Sequence, residues 1–121
     1  MLRHIALTVN DSEEIKNFYE EVLLFHQKHK HSVDGEVIRQ IFNLDRPTEV
    51  YIMEHHDVQF EIFMSPKKEK KVFSHVCLAF RNAEVIYNNT LKLGYKVIIK
   101  NNPRNNTYFI WDKSGNMFEI K

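Results

Sequence analysis

Hydrophobic and polar positions along the chain change period in a regular way. From His4 to Val9 they alternate, with Ile5, Leu7 and Val9 on one side and His4, Ala6 and Thr8 on the other; period two predicts a half-buried strand. Ile15, Phe18, Tyr19, Val22 and Leu23 then recur at helical spacing, behind Asp11 and Glu14, which fit a capping box. Phe25 to His31 reads as a strongly solvated edge strand, because Gln27, Lys28, His29, Lys30 and His31 leave it few apolar residues. Val37, Ile38, Ile41 and Phe42 return to helical spacing and predict a short helix over Asp34 to Asn43. Strands follow at Glu49 to Glu54 and Val58 to Phe63, separated by His55-His56-Asp57. After His75 to Phe80, another alternating run, Ala83 to Leu93 carries a weaker helical stripe that stops at Gly94. Tyr95 to Lys100 and Thr107 to Trp111 flank a polar turn, and Lys113-Ser114-Gly115-Asn116 is a tight turn before the last strand.

The pattern repeats. His4-Ile5-Ala6-Leu7-Thr8-Val9 matches His75-Val76-Cys77-Leu78-Ala79-Phe80, and Phe60-Glu61-Ile62 matches Phe118-Glu119-Ile120. Each half is therefore βαβββ, an α+β arrangement of two modules, about 1–63 and 74–121, joined by a charged linker, 64–73. The His-to-Glu spacing is 57 in the first half and 44 in the second. The helix over Asp34 to Asn43 accounts for most of that surplus. The run Lys67-Lys68-Glu69-Lys70-Lys71 reads most simply as a solvated linker.

Composition narrows the classes of function. A chain of 121 residues with 43% hydrophobic and 27% charged positions is one ordinary globular domain. Seventeen Lys and Arg against sixteen Asp and Glu argue against nucleic acid as a partner. The longest apolar run, Val76 to Phe80, is far short of a membrane span of about 20 residues. Cys77 is the lone cysteine and Met1-Leu2-Arg3-His4-Ile5 has no signal-peptide pattern, so a cytoplasmic location is expected. Gly35, Gly94 and Gly115 lie too far apart for a phosphate-cradling loop.

Strand parity points to chemistry. Ile5, Leu7 and Val9, like Val76, Leu78 and Phe80, must face the helices. His4 and His75 then lie on the other face, next to small residues that leave room in front of the sheet. Phe60, Ile62, Phe118 and Ile120 put Glu61 and Glu119 on that same face. Each is ordinary alone, a structural histidine or a solvent-facing glutamate. Two His and two Glu at matching positions would meet if a pseudo-twofold axis related the halves. Imidazole with carboxylate oxygen suits Zn, Ni, Co, Fe or Mn rather than an all-oxygen calcium cage.

With these residues in place, the sequence resembles the vicinal oxygen chelate superfamily, the glyoxalase and bleomycin-resistance fold. The resemblance rests on His4-Ile5-Ala6-Leu7-Thr8-Val9, Asn17-Phe18-Tyr19-Glu20-Glu21-Val22-Leu23, Phe60-Glu61-Ile62-Phe63, Ser74-His75-Val76-Cys77-Leu78 and Asp112-Lys113-Ser114-Gly115-Asn116-Met117-Phe118-Glu119-Ile120. It implies two tandem βαβββ modules forming a curved mixed sheet around a cleft, with helices outside. It implies one divalent metal ion, Ni or Zn favoured over Co, Mn or Fe, held by His4, Glu61, His75 and Glu119. Such a ligand set looks like lactoylglutathione lyase: a metal-dependent lyase or isomerase that moves a proton on a small vicinal-oxygen metabolite through a metal-bound enediolate. Glu119, and secondarily Glu61, would be the catalytic base. The resemblance also implies a small-molecule substrate and a homodimer. The alternatives are a small-molecule binding or resistance protein on the same fold and an acyl-CoA epimerase. Arg3, Arg39, Arg46, Arg81 and Arg104 are scattered and form no glutathione-binding set.

Other residues carry less. His26, His29 and His31, and the pair His55 and His56, read most simply as surface histidines. Cys77 has cleft parity but no adjacent base, and a small space-filling role is the simpler reading. Tyr51, Met53, Phe63, Tyr108 and Trp111 are assigned to the core by default.

Overall fold

The structure, a computed structural model, describes residues 2–67 and 74–121. The linker run Lys68 to Lys71 thus lies outside the described residues. Two four-stranded mixed sheets carry the fold. The first holds β1 (Ile5–Val9), β2 (His26–Val33), β3 (Thr48–His55) and β4 (Val58–Met64), in the order β1-β4-β3-β2. The second holds β5 (Val76–Leu78), β6 (Val97–Lys100), β7 (Thr107–Trp111) and β8 (Met117–Ile120), in the order β5-β8-β7-β6. Both repeat one plan: the first strand pairs parallel with the fourth, and the other neighbours are antiparallel. The sheets are not joined into one closed barrel.

Between β1 and β2 the chain forms a π-helical stretch, Ile15–Glu20, flanked by short turns. Its wide turn is closed by bonds such as Leu23 N–H to Phe18 O at 3.0 Å. Ile15, Phe18, Tyr19, Val22 and Leu23 are all buried, as their spacing predicts. The capping box does not form. Asp11 Oδ1 accepts from the Glu13 amide instead, and Glu14 is drawn inward, where it accepts from the Tyr95 hydroxyl and the Lys113 amide. A tertiary pair of donors has outcompeted the local cap.

The predicted insertion is a helix, α1 (Gly35–Phe42). Asp34 caps it by accepting from the Val37 amide at 3.0 Å, and Asn43 ends it in the left-handed region at φ 56°. Its counterpart in the second module is absent; there α2 (Ala83–Lys92) leads through Gly94 to β6. As expected for an edge strand, β2 is exposed, with a register shift between Gln27 and His29.

One core serves both sheets. Phe18 and Tyr19 pack against Phe118, and Tyr19 also meets Phe60. Phe60 of β4 and Phe118 of β8 approach to 6.0 Å between ring centroids. Ile62, Ile110 and Ile120 complete the same cluster. The apolar faces of both sheets therefore look into a shared interior, and the faces bearing Glu61 and Glu119 look away from it. Tyr51, Met53 and Tyr108 belong to this core, as the default assigned them. Phe63 does not; it lies on the opposite face, under Phe42 of α1. Trp111 is half-buried beneath the Lys96 ammonium.

Candidate functional site

The strand pairing sets each His beside a Glu. In β1 and β4, Ala6 stands opposite Glu61 in parallel register. His4, two residues before Ala6, comes alongside on the same face, with its Nε2 3.5 Å from Glu61 Oε2. In the second module Cys77 stands opposite Glu119, and His75 Nε2 lies 3.2 Å from Glu119 Oε2. The repeat in sequence is thus a repeat in space: each module builds one His–Glu pair at the mouth of its parallel strand pair.

The two pairs differ in their surroundings. Lys121, two residues beyond Glu119 on the same face, places Nζ 2.9 Å from Glu119 Oε1. That ammonium, aided by His75, holds the Glu119 carboxyl below the usual carboxylate range against a smaller opposing effect of burial. Glu61 has no lysine among the described residues; its ion-pair partner is His4. Lys121 belongs to no motif in the sequence, and only its i+2 spacing from Glu119, which gives it the same parity, marks it.

Donor chemistry and spacing both suit a divalent ion. Metal–nitrogen and metal–oxygen bonds of about 2.0–2.2 Å put neighbouring donors roughly 3.0–3.5 Å apart in octahedral or tetrahedral geometry. Both pairs fall in that interval. Within one chain the pairs remain two: among the described residues no group of three or more His, Cys, Asp or Glu side chains converges for a metal. Between the modules runs a groove of about 350 Å³, lined by Ile5 to Thr8, Ser74 to Val76 and Gly115 to Met117.

A buried polar network fixes the modules relative to each other. The turn after β7 binds back to the first module: Asn116 Nδ2 donates to Thr8 O at 2.8 Å, and Ser114 Oγ to Asn10 Oδ1 at 2.8 Å. Asp112 accepts from the Tyr19 hydroxyl at 2.9 Å and from Asn116. Burial pushes both the Glu14 and Asp112 carboxyls up, although these hydrogen bonds oppose it. The Asp112 to Asn116 motif in the sequence is thus an anchor as well as the lead-in to Glu119.

The remaining candidates stay apart. His26 pairs with Glu54, His29 lies beside His31 with the rings tilted, and His55 bonds Leu24 O. Cys77 is exposed, so it does not fill interior space as the simpler reading of the sequence expects.

Comparison with known proteins agrees with this architecture. The sequence profile of the Glyoxalase/Bleomycin resistance protein/Dioxygenase superfamily matches residues 1–120. No curated protein matches the chain in sequence. Among solved structures, the fosfomycin resistance protein FosX from Listeria monocytogenes superposes with a TM-score of 0.75 at 13% identity, covering 99% of this chain and 90% of that one. The glyoxalase family protein from Enterococcus faecalis gives 0.73 at 16% identity, covering 99% and 95%. A mutant of the Listeria FosX, complexed with Mn(II) and 1S,2S-dihydroxypropylphosphonic acid, gives 0.74 at 16% identity, covering 99% and 90%.

Proposed function

Because the chain belongs to the Glyoxalase/Bleomycin resistance protein/Dioxygenase superfamily, we propose that it is a metal-dependent lyase or isomerase acting on a small oxygenated molecule. The observation that carries this reading is the duplicated pair, His4 with Glu61 and His75 with Glu119, each with its donors 3.2–3.5 Å apart. Because the pairs face away from a shared core, we assign the complete site to a homodimer. The first pair of one chain meets the second pair of another copy, giving two sites per dimer. The FosX complex with Mn(II) supports a divalent metal on this fold, and the donor set suits Ni or Zn equally.

A divalent cation so held would stabilise negative charge developing on a substrate oxygen. The protein's own work is to hold and move a proton. Glu119, kept ionised by Lys121, is present as a base at neutral pH. To accept a proton it must loosen its contact with Lys121. Glu61 has no such tether among the described residues and is the second candidate for the same step. The histidines fix the geometry, each through an imidazole Nε2 that donates to a metal only while it carries no proton.

The test begins with elemental analysis of protein purified without chelators, together with its sedimentation mass. One ion per chain in a dimer is expected, and the His75→Ala protein should lose it. Activity is then read as exchange of a substrate α-proton with solvent deuterium, using a methylglyoxal–thiol adduct or a branched acyl thioester. A second reading, a resistance protein, is supported by the FosX likeness over 99% of the chain. Consumption of fosfomycin followed by phosphorus NMR, with no deuterium exchange on either thiol substrate, would select it. A metal-free monomer would overturn the proposal.

A further inference from the structure

The inserted helix does more than lengthen the first module. Val50 of β3 pairs with Phe63, and Ile52 with Glu61, so all four share the face away from the core. Val50 and Ile52 are nevertheless buried, as is Ile38 of α1. Helix α1 therefore lies over this face, with Phe42 edge-on to Phe63 at 5.4 Å. It leaves a cleft of about 170 Å³ between itself and the sheet, walled by Ile38, Phe42, Leu44, Phe63 and Met64. The cleft begins about two residues along the strand from Glu61, roughly 6.6 Å. A cavity of on the order of 150 Å³ with such walls holds a benzene-sized group.

One charge lines this apolar cleft. Arg46 is half-buried there; its Nη2 donates to Ser65 Oγ at 2.7 Å. Its Nε is fully buried and has no hydrogen-bond partner among the described residues. No carboxylate among the described residues comes within 4.0 Å of the guanidinium. An uncompensated charge and an unsatisfied N–H in one side chain are costly, and such cost is met in proteins where an anion completes the group. The planar guanidinium fits a carboxylate or phosphonate oxygen pair.

We propose that this cleft is the specificity pocket of the enzyme. It takes a compact apolar group, up to one six-membered ring, that carries an oxyanion bound by Arg46. The inference rests on the proposed metal-dependent activity only for placing the reacting oxygens at Glu61. The pocket itself can be tested without metal. Benzoate, phenylphosphonate, benzyl alcohol and acetate are titrated into the metal-free full-length protein, with NMR shifts of the Ile38, Leu44 and Met64 methyls as readout. Either aromatic anion should bind about tenfold or more tightly than acetate or benzyl alcohol, since each of the latter lacks one half of the match. Arg46→Gln should remove that preference without altering metal uptake. Leu44→Trp, at a partly exposed position that tolerates bulk, should block the aromatic anions while leaving acetate unaffected. The tighter of the two anions identifies the substrate's acidic group. Equal binding of benzoate and benzyl alcohol, or an unchanged preference in Arg46→Gln, would overturn the proposal. Metal uptake without anion binding removes the pocket and keeps the enzyme; anion binding without metal uptake does the reverse.

Discussion

The two modules share a skeleton and differ in what covers it. Both pair their first strand in parallel with their fourth, and both set a His–Glu pair at that junction, 3.5 Å apart in one and 3.2 Å in the other. In the first module the open face beyond the pair is roofed by α1, which creates an apolar cleft with Arg46 at its wall. In the second no helix is inserted, the face is open, Cys77 is exposed, and Glu119 is tethered by Lys121. The modules divide the labour. The duplicated backbone supplies equivalent donor positions, and the unequal coverings supply selectivity on one side and charge control on the other. Each half of a shared site would then contribute something the other lacks.

Removing one carboxylate at a time separates the two modules by the largest effect. If Glu119 is the base, Glu119→Gln should lower turnover by roughly 10²–10⁴-fold while retaining some metal, because an amide oxygen can ligate but is a very poor base. Glu61→Gln should then lower turnover less and weaken metal binding comparably. The measurement is solvent-deuterium exchange alongside metal stoichiometry for both proteins. A larger loss in Glu61→Gln would transfer the base role to the untethered carboxylate and make Lys121 a device for keeping Glu119 a ligand.

A smaller effect tests what holds the modules together. Tyr19→Phe deletes the hydroxyl that bonds Asp112 and should cost about 1.5–3 kcal/mol, the range for a hydrogen bond to a charged group. Glu14 and Asp112 add a pH dependence of known sign. Their carboxyls are pushed above the ordinary range, so the folded state binds more protons than the unfolded one. Their contribution to stability is complete below about pH 4 and declines as pH rises through their folded values. In Glu14→Gln one oxygen still accepts, and the Tyr95 hydroxyl can turn to accept from the amide. That variant should therefore gain stability relative to the parent as pH rises above about 4.5, read from urea midpoints across the window. A difference independent of pH would mean that Glu14 is not buried as an acid in solution.

Much of this was legible in the sequence, for identifiable reasons. Period-two runs with one greasy side place His4, Glu61, His75 and Glu119 on the outer faces without any coordinates, because parity admits no other answer once Phe60 and Phe118 are inside. Helix α1 could be read from Val37, Ile38, Ile41 and Phe42, and its ends from Asp34 and Asn43. What escaped depends on long-range geometry. Glu14 has the spacing of a cap, yet the Tyr95 hydroxyl and the Lys113 amide, 81 and 99 residues away, claim it. Phe63 looks like core until α1 is seen to lie over the opposite face. Arg46 reads as one scattered arginine, since nothing local shows that its neighbours among the described residues offer it no carboxylate.

The finest test of the comparison is at the corner that ends the first helix of each module. Leu24 and Gly94 occupy matching places, with φ of 63° and 75°. The residue after each returns its amide to the helix, Phe25 to Tyr19 O and Tyr95 to Thr90 O. A left-handed corner is thus closed five residues back with glycine in one module and six residues back with leucine in the other, where leucine meets a left-handed penalty of about 1–2 kcal/mol. A Cβ at Gly94 would touch nothing, so Gly94→Ala should cost about 1 kcal/mol through the backbone alone. Leu24→Gly relieves the same strain but gives up the contacts of a side chain that is more than half covered. It also frees the unfolded chain, at about 0.5–1 kcal/mol. These terms oppose, and its unfolding midpoint should shift less than that of Gly94→Ala. A destabilisation of Leu24→Gly well beyond that of Gly94→Ala would show that the leucine is held at this corner for its packing.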